Sequence, residues 1–117
     1  MIKPVEIPLT LYQGATFDKR FTWKAGGDPV DLTGCQVRAQ VRRHLRATET
    51  LLDMTLDNDQ AKLHDPAAGR FGLYLDATTT AELAFSSGVY DLEVEFPDGT
   101  VVRLLSGDVT LDREVTR

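Results

Sequence analysis

Residues 90–112 read YDLEVEFPDGTVVRLLSGDVTLD, two runs of alternating apolar and polar residues on either side of Pro97, Asp98 and Gly99. A period of two marks an extended chain with one buried face, and a Gly-containing break between two such runs marks a hairpin. The register follows from asking which pairing keeps apolar residues on one side. A three-residue loop over Pro97, Asp98 and Gly99, with Gly99 left-handed, sets Phe96 opposite Thr100, Val94 opposite Val102 and Leu92 opposite Leu104. Tyr90, Leu92, Val94, Phe96, Val102 and Leu104 then face a core, while Asp91, Glu93, Glu95, Val101, Arg103 and Leu105 face away. A two-residue Asp-Gly loop would set Val94 across from Arg103 and mix the faces.

Three carboxylates at two-residue spacing raise the question of catalysis or metal binding. Same-face neighbours on a strand stand roughly 6.5–7 Å apart, near the separation that inverting glycosidases use. A carboxyl group that acts as an acid needs an apolar pocket or a buried like charge, and the outward neighbours here are Val101, Arg103 and Leu105. Calcium wants oxygens converging from a loop; Asp57, Asn58 and Asp59 form such a loop but lack the full spacing of a calcium-binding one. In the chosen register Glu93 sits opposite Arg103, a cross-strand ion pair worth a few tenths of a kcal/mol when exposed. No catalytic residue, cofactor or metal is assigned, and the chain reads as a non-enzyme.

The same alternation runs through most of the 117 residues. Glu6–Gln13 places Ile7, Leu9 and Leu11 on one side, and Pro8 inside that run indicates an edge strand whose missing N–H faces outward. Thr16–Lys24 sets Phe17, Phe21 and Trp23 on one face, with Trp23 as the expected central core anchor. A short strand piece is expected at Val30–Leu32, between turn residues. Cys35, Val37, Ala39 and Val41 face inward, leaving Gln36, Arg38, Gln40 and Arg42 outside. Further runs carry Leu52, Met54 and Leu56, then Phe71, Leu73 and Leu75. The exception is DATTTAELAF, where Thr79 and Glu82 resemble a capping box and predict one helical turn with Leu83 as a plug. About eight strands with closely spaced turn signals make an all-β, antiparallel sandwich or barrel in a single domain, 1–117.

Composition excludes several classes. The chain has 42% hydrophobic and 26% charged residues, unlike a disordered tail. No signal segment or run of eighteen apolar residues occurs, so synthesis in a cytoplasm and no membrane partner are expected. The lone Cys35 forbids an internal disulfide and sits in a strand pattern that buries it. Net charge is −5 but uneven: residues 1–46 hold eight Lys/Arg against four Asp/Glu (+4), and 47–117 hold five against fourteen (−9). The densest basic segment, RAQVRRHLR, belongs to an acidic chain that a phosphate backbone would repel, so no nucleic acid is expected. Opposite-signed surfaces between neighbouring copies or partner proteins suit the pattern better. Candidate partner contacts are Asp91, Glu93, Glu95, Val101, Arg103 and Leu105 on the hairpin, with Arg38 and Arg42 on the strand before it. The tail, 113–117, carries alternating charge and is read as an arm that could add to a neighbour's sheet.

IPLTLYQGATFDKRFTWKAGGDPVDLTGCQVRAQVR, together with GVYDLEVEFPDGTVVRLLSGDVTLDREVTR, resembles small tailed-bacteriophage virion proteins, in particular the Ig-like N-terminal domain of upper baseplate proteins. The pieces that carry it are YQGATF, VDLTG, ATTTAEL, GVYDLEV and the closing LLSGDVTLDREVTR. The resemblance implies an Ig-like β-sandwich in a virion, contacting other virion proteins at the tail, baseplate or fibre attachment, as a homo-oligomer or in multiple copies. It supplies no catalytic residue. A capsid decoration or head-completion protein is the alternative within that class. A carbohydrate- or ligand-binding sandwich is the alternative outside it, with Tyr12 and Tyr74 as its candidate aromatics.

Overall fold

A computed structural model of the chain describes residues 4–113. Its strands are β1 (Val5–Glu6), β2 (Leu9–Tyr12), β3 (Phe17–Thr22), β4 (Lys24–Ala25), β5 (Asp28–Pro29), β6 (Gln36–Arg42), β7 (Leu52–Thr55), β8 (Ala61–Asp65), β9 (Arg70–Leu75), β10 (Ser87–Glu95) and β11 (Val101–Asp112). A short α-helix, α1 (Ala77–Ala81), joins β9 to β10, and a 3-10 turn at Pro66–Ala68 joins β8 to β9. The large sheet has the order β1-β11-β10-β6-β7, with β2 also on β11; the small sheet is β3-β9-β8, and β4 and β5 form a separate ribbon. Inward residues of both sheets, among them Val37, Leu92, Phe71 and Leu73, belong to one core cluster. The all-β, two-layer reading therefore holds.

The hairpin that set the fold has the expected loop. Gly99 is left-handed at φ 91°, and Phe96 N–H donates to Thr100 at 2.8 Å. Val94 pairs with Val102 and Glu93 with Arg103, but Leu92 pairs with Leu105, because a β-bulge lies between Leu92 and Glu93 on one strand and across Leu104 on the other. The extra residue reverses the facing of everything beyond it. Leu105, expected outside, is 5% exposed and packs in the core beside Leu104, and Val109 and Leu111 follow it inward.

The N-terminal edge strand is present but pairs in parallel with β11, a departure from a purely antiparallel sandwich. It is split at Pro8 into β1 and β2. Ile7 N–H donates to Ser106 and Gln13 N–H to Asp112, both at 2.9 Å, so odd residues face β11 and Pro8 faces the open edge, as its missing donor requires. Gly107 permits the close approach: a Cβ there would stand 2.6 Å from the Ile7 carbonyl.

Three local expectations are corrected. Trp23 is half-buried at the rim, against Phe96 with ring centroids 6.0 Å apart, and Phe71 is the large side chain at the centre. The ribbon strand ends at Pro29; Val30 donates to Trp23 and packs half-buried against the core, and Leu32 is a fully buried plug outside any strand. The helical turn forms, but its cap is Asp76, which accepts from Thr79 N–H at 2.8 Å. An aspartate acceptor fits the N-cap better than Thr79, which the helix needs as a donor. Leu83 packs half-buried against the core as expected, while Thr80 is the fully buried residue of the turn, bonded to the Ala15 carbonyl at 2.8 Å. Of the expected arm, 114–117 lies outside the described residues, and Arg113 donates to the Ala84 carbonyl at 2.8 Å.

Candidate functional site

Strand alternation places the polar residues of β6, β10 and β11 on the outer face of the large sheet, and cross-strand pairing arranges them in rows. One row runs Thr55, Arg38, Glu93, Arg103; the next runs Asp53, Gln40, Asp91, Ser106, Glu6; a third joins Arg42, Val89 and Asp108. The basic and acidic halves of the chain are thus interleaved on one surface. Neighbouring charges there are close enough to bond directly.

Arg38 is the hub. Its Nε donates to Glu93 and its Nη1 to Glu95, each at 2.8 Å, and these two carboxylates hold its guanidinium above the ordinary arginine range. Arg103 reaches Asp91 instead, at 3.6 Å. The expected Glu93–Arg103 pair therefore exists as a backbone register but not as an ion pair. The reason is geometric: Glu93 has an arginine on either side, and Arg38 approaches closely enough for a charge-assisted hydrogen bond.

Arg42 does different work. Its guanidinium donates to the carbonyls of Ala47 and Thr48, at 3.0 and 2.8 Å, and to Gln40 Oε1 at 3.0 Å. It thereby fixes the loop after β6 and holds Leu45, 85% exposed, beside the sheet face. The loop and the rows enclose an open groove of about 620 Å³. Arg38, Arg42, Asp91, Glu93 and Arg103 line it. Glu95 lies next to it through Arg38, and Val101, 47% exposed, sits opposite Glu95 near the hairpin tip. Leu105, expected on this face, is buried in the core instead.

Glu6, Leu45 and Asp108 also line the groove and were not singled out from the sequence. For Asp108 a signal existed. Leu104 and Leu105 are adjacent and apolar, and the later apolar residues, Val109 and Leu111, are odd-numbered where Val102 and Leu104 are even; only a bulge reconciles the two phases. Leu45 lies where alternation stops, and nothing local fixes its position.

In chemical terms the face offers four acids and three arginines at partly exposed positions, a pattern for matching a polar protein surface. Among the described residues no three His, Cys, Asp or Glu side chains converge as a metal site would require. Cys35 is buried, and desolvation pushes its thiol up, away from nucleophilic use. Tyr12 belongs to the large sheet and Tyr74 to the small one, where Lys62 lies 5.0 Å over its ring, so the two do not form an aromatic platform.

Fold and face together define a two-layer β-sandwich with a broad, charge-paired sheet surface. No protein-family model and no curated protein matches the chain. Among solved structures it is similar to the N-terminal domain of phage TP901-1 ORF48, with a TM-score of 0.52 and 11% identity, covering 89% of this chain and 83% of that one. At that identity the likeness is one of fold.

Proposed function

We propose that this chain is a non-enzymatic structural component of a bacteriophage particle, working as an adaptor at the tail, baseplate or fibre attachment. The observation that carries this reading is the fold likeness to a phage protein's N-terminal domain over most of both chains. The resemblance carried by YQGATF, VDLTG, ATTTAEL and GVYDLEV agrees with this reading. The chain acts as one domain, made in the host cytoplasm and retained in the virion in several copies.

Contacts to other virion proteins run through the outer face of the large sheet. Arg38, Asp91, Glu93, Glu95 and Arg103 give it alternating charge that fixes the orientation of a neighbour, and Leu45 and Val101 supply apolar contact at its margins. The test is reconstitution: wild-type chain and an Arg103→Glu variant are each offered to particles assembled without it. Incorporation of the wild type and exclusion of the variant supports the reading. Equal incorporation removes this face from it, and failure of both to associate with particles removes the phage assignment.

A further inference from the structure

We infer that the open edge of β2 is a self-association site, at which a second copy of this chain adds its own β2 in antiparallel register about a two-fold axis centred on Thr10. The inference concerns the sheet edge, not the ion-paired face, and does not depend on the phage reading.

Among the described residues, β2 pairs with β11 alone. Because Ile7 and Gln13 direct their N–H groups to β11, the intervening even residues direct theirs outward. The edge therefore presents the Pro8 carbonyl, the Thr10 N–H and carbonyl, and the Tyr12 N–H. Two groups that a regular edge would offer are missing: Pro8 has no N–H, and the Tyr12 carbonyl already accepts from Ala15 N–H at 3.0 Å.

Those two gaps specify a register. With Thr10 opposite Thr10 of the second copy, each Thr10 N–H donates to the other's carbonyl, and Pro8 falls opposite Tyr12. In that outer pair Tyr12 N–H donates to the Pro8 carbonyl. The return bond is impossible from Pro8 and unnecessary for Tyr12, so the missing donor meets the occupied acceptor. Every remaining edge group is satisfied by four bonds, and the interface is isologous. On the outer face Thr10 meets Thr10, a favourable cross-strand pair, and Tyr12, 57% exposed, lies across from the exposed Pro8 ring.

Two other edges are guarded differently, whereas here the edge proline Pro8 removes a single donor that the register leaves unused. On β7 the Asn58 side chain accepts from Thr55 N–H at 3.0 Å and donates to the Asp53 carbonyl at 2.7 Å, occupying the groups a new strand would need. On β3, Lys19 pairs with the core-facing Leu73 yet stays exposed, an inward charge of the kind that discourages edge pairing.

Sedimentation of the full chain from micromolar to millimolar concentration should show a reversible dimer, with the dissociation constant raised about tenfold or more by Thr10→Pro, which removes one donor per copy. The second arm is cross-linking. Opposed Cα atoms at a bonded antiparallel pair stand about 5.5 Å apart, within disulfide reach, so Thr10→Cys should form a covalent dimer. Thr110→Cys, one strand further in on each copy, would hold its thiols about 14 Å apart and should not. A monomer throughout, wild-type dimerisation by Thr10→Pro, or cross-linking at position 110 as fast as at position 10 overturns the inference. If Thr10→Pro does not fold, the cross-linking pair decides alone.

Discussion

The Tyr90 hydroxyl donates to the Ile7 carbonyl at 2.7 Å, joining residues 83 positions apart and fastening the N-terminal edge strand to the sandwich. Burial pushes this phenol from its ordinary 10.0 up to about 12. Removing the hydroxyl leaves a partly buried carbonyl without its donor. Tyr90→Phe should cost about 0.5–1.5 kcal/mol in denaturant unfolding. A raised folded-state pKa gives stability that is full below pH 10 and lost as pH rises toward 12, so the wild type should weaken across that interval by a component absent from Tyr90→Phe. Equal alkaline profiles would show that the hydroxyl is not held as described.

The bulge makes a sharp contrast between two residues first placed on the same face. Leu105→Ala should destabilise by about 2–5 kcal/mol through lost burial and a cavity, whereas Val101→Ala should stay within about 0.5 kcal/mol. Similar effects at both positions would restore the unbulged register and with it an outward Leu105.

That contrast also shows what the sequence disclosed. Period-two spacing identified the inward residues of β6, β9 and β10, because a strand with one buried face leaves no other solution. The hairpin loop was legible for the same reason, with Pro97, Asp98 and Gly99 supplying its turn chemistry. The bulge leaves no mark near the loop, and only the phase of Val109 and Leu111, odd-numbered where Val102 and Leu104 are even, records it. Parallel pairing of β1 and β2 depends on where the chain returns in space, which no local pattern records. On the face itself, Arg38 and Glu93 were both named, but their union required knowing that β6 neighbours β10.

Asn58 should act as an edge guard. It accepts from the N–H groups of Thr55 and Gln60, both at 3.0 Å, besides donating to Asp53. Asn58→Ala should lower stability by about 1–3 kcal/mol and raise aggregation measured by light scattering, since the β7 edge is then open. Asn58→Asp retains the two acceptor bonds and should fall between. Unchanged scattering in Asn58→Ala would mean that its bonds stabilise the turn without protecting the edge.

His64 gives a separate acid response. A Cβ on Gly72 would meet its ring nitrogen at 2.9 Å, so the imidazole lies against the small sheet. Desolvation, then Arg20 and more weakly Lys62, lower its pKa from the ordinary 6.5, and Asp18 opposes them. A lowered folded-state pKa means the unfolded chain binds the proton more readily, so stability is full above pH 6.5 and falls as pH drops below it. The loss should begin before that of the carboxylates held low by local bonds, Asp18, Asp31, Asp76 and Asp98, whose ordinary value is 3.8. His64→Gln should remove the earlier phase in thermal melts run against pH, and its persistence would assign that phase elsewhere.

The proposed place in a virion is tested most directly by imaging particles purified from cells that produce this chain. The expected result is density for the sandwich at the tail, baseplate or fibre attachment, with the face bearing Arg38, Glu93 and Arg103 against another virion protein. Particles that lack the chain by mass spectrometry, or that carry it on the capsid with that face bare to solvent, would contradict it.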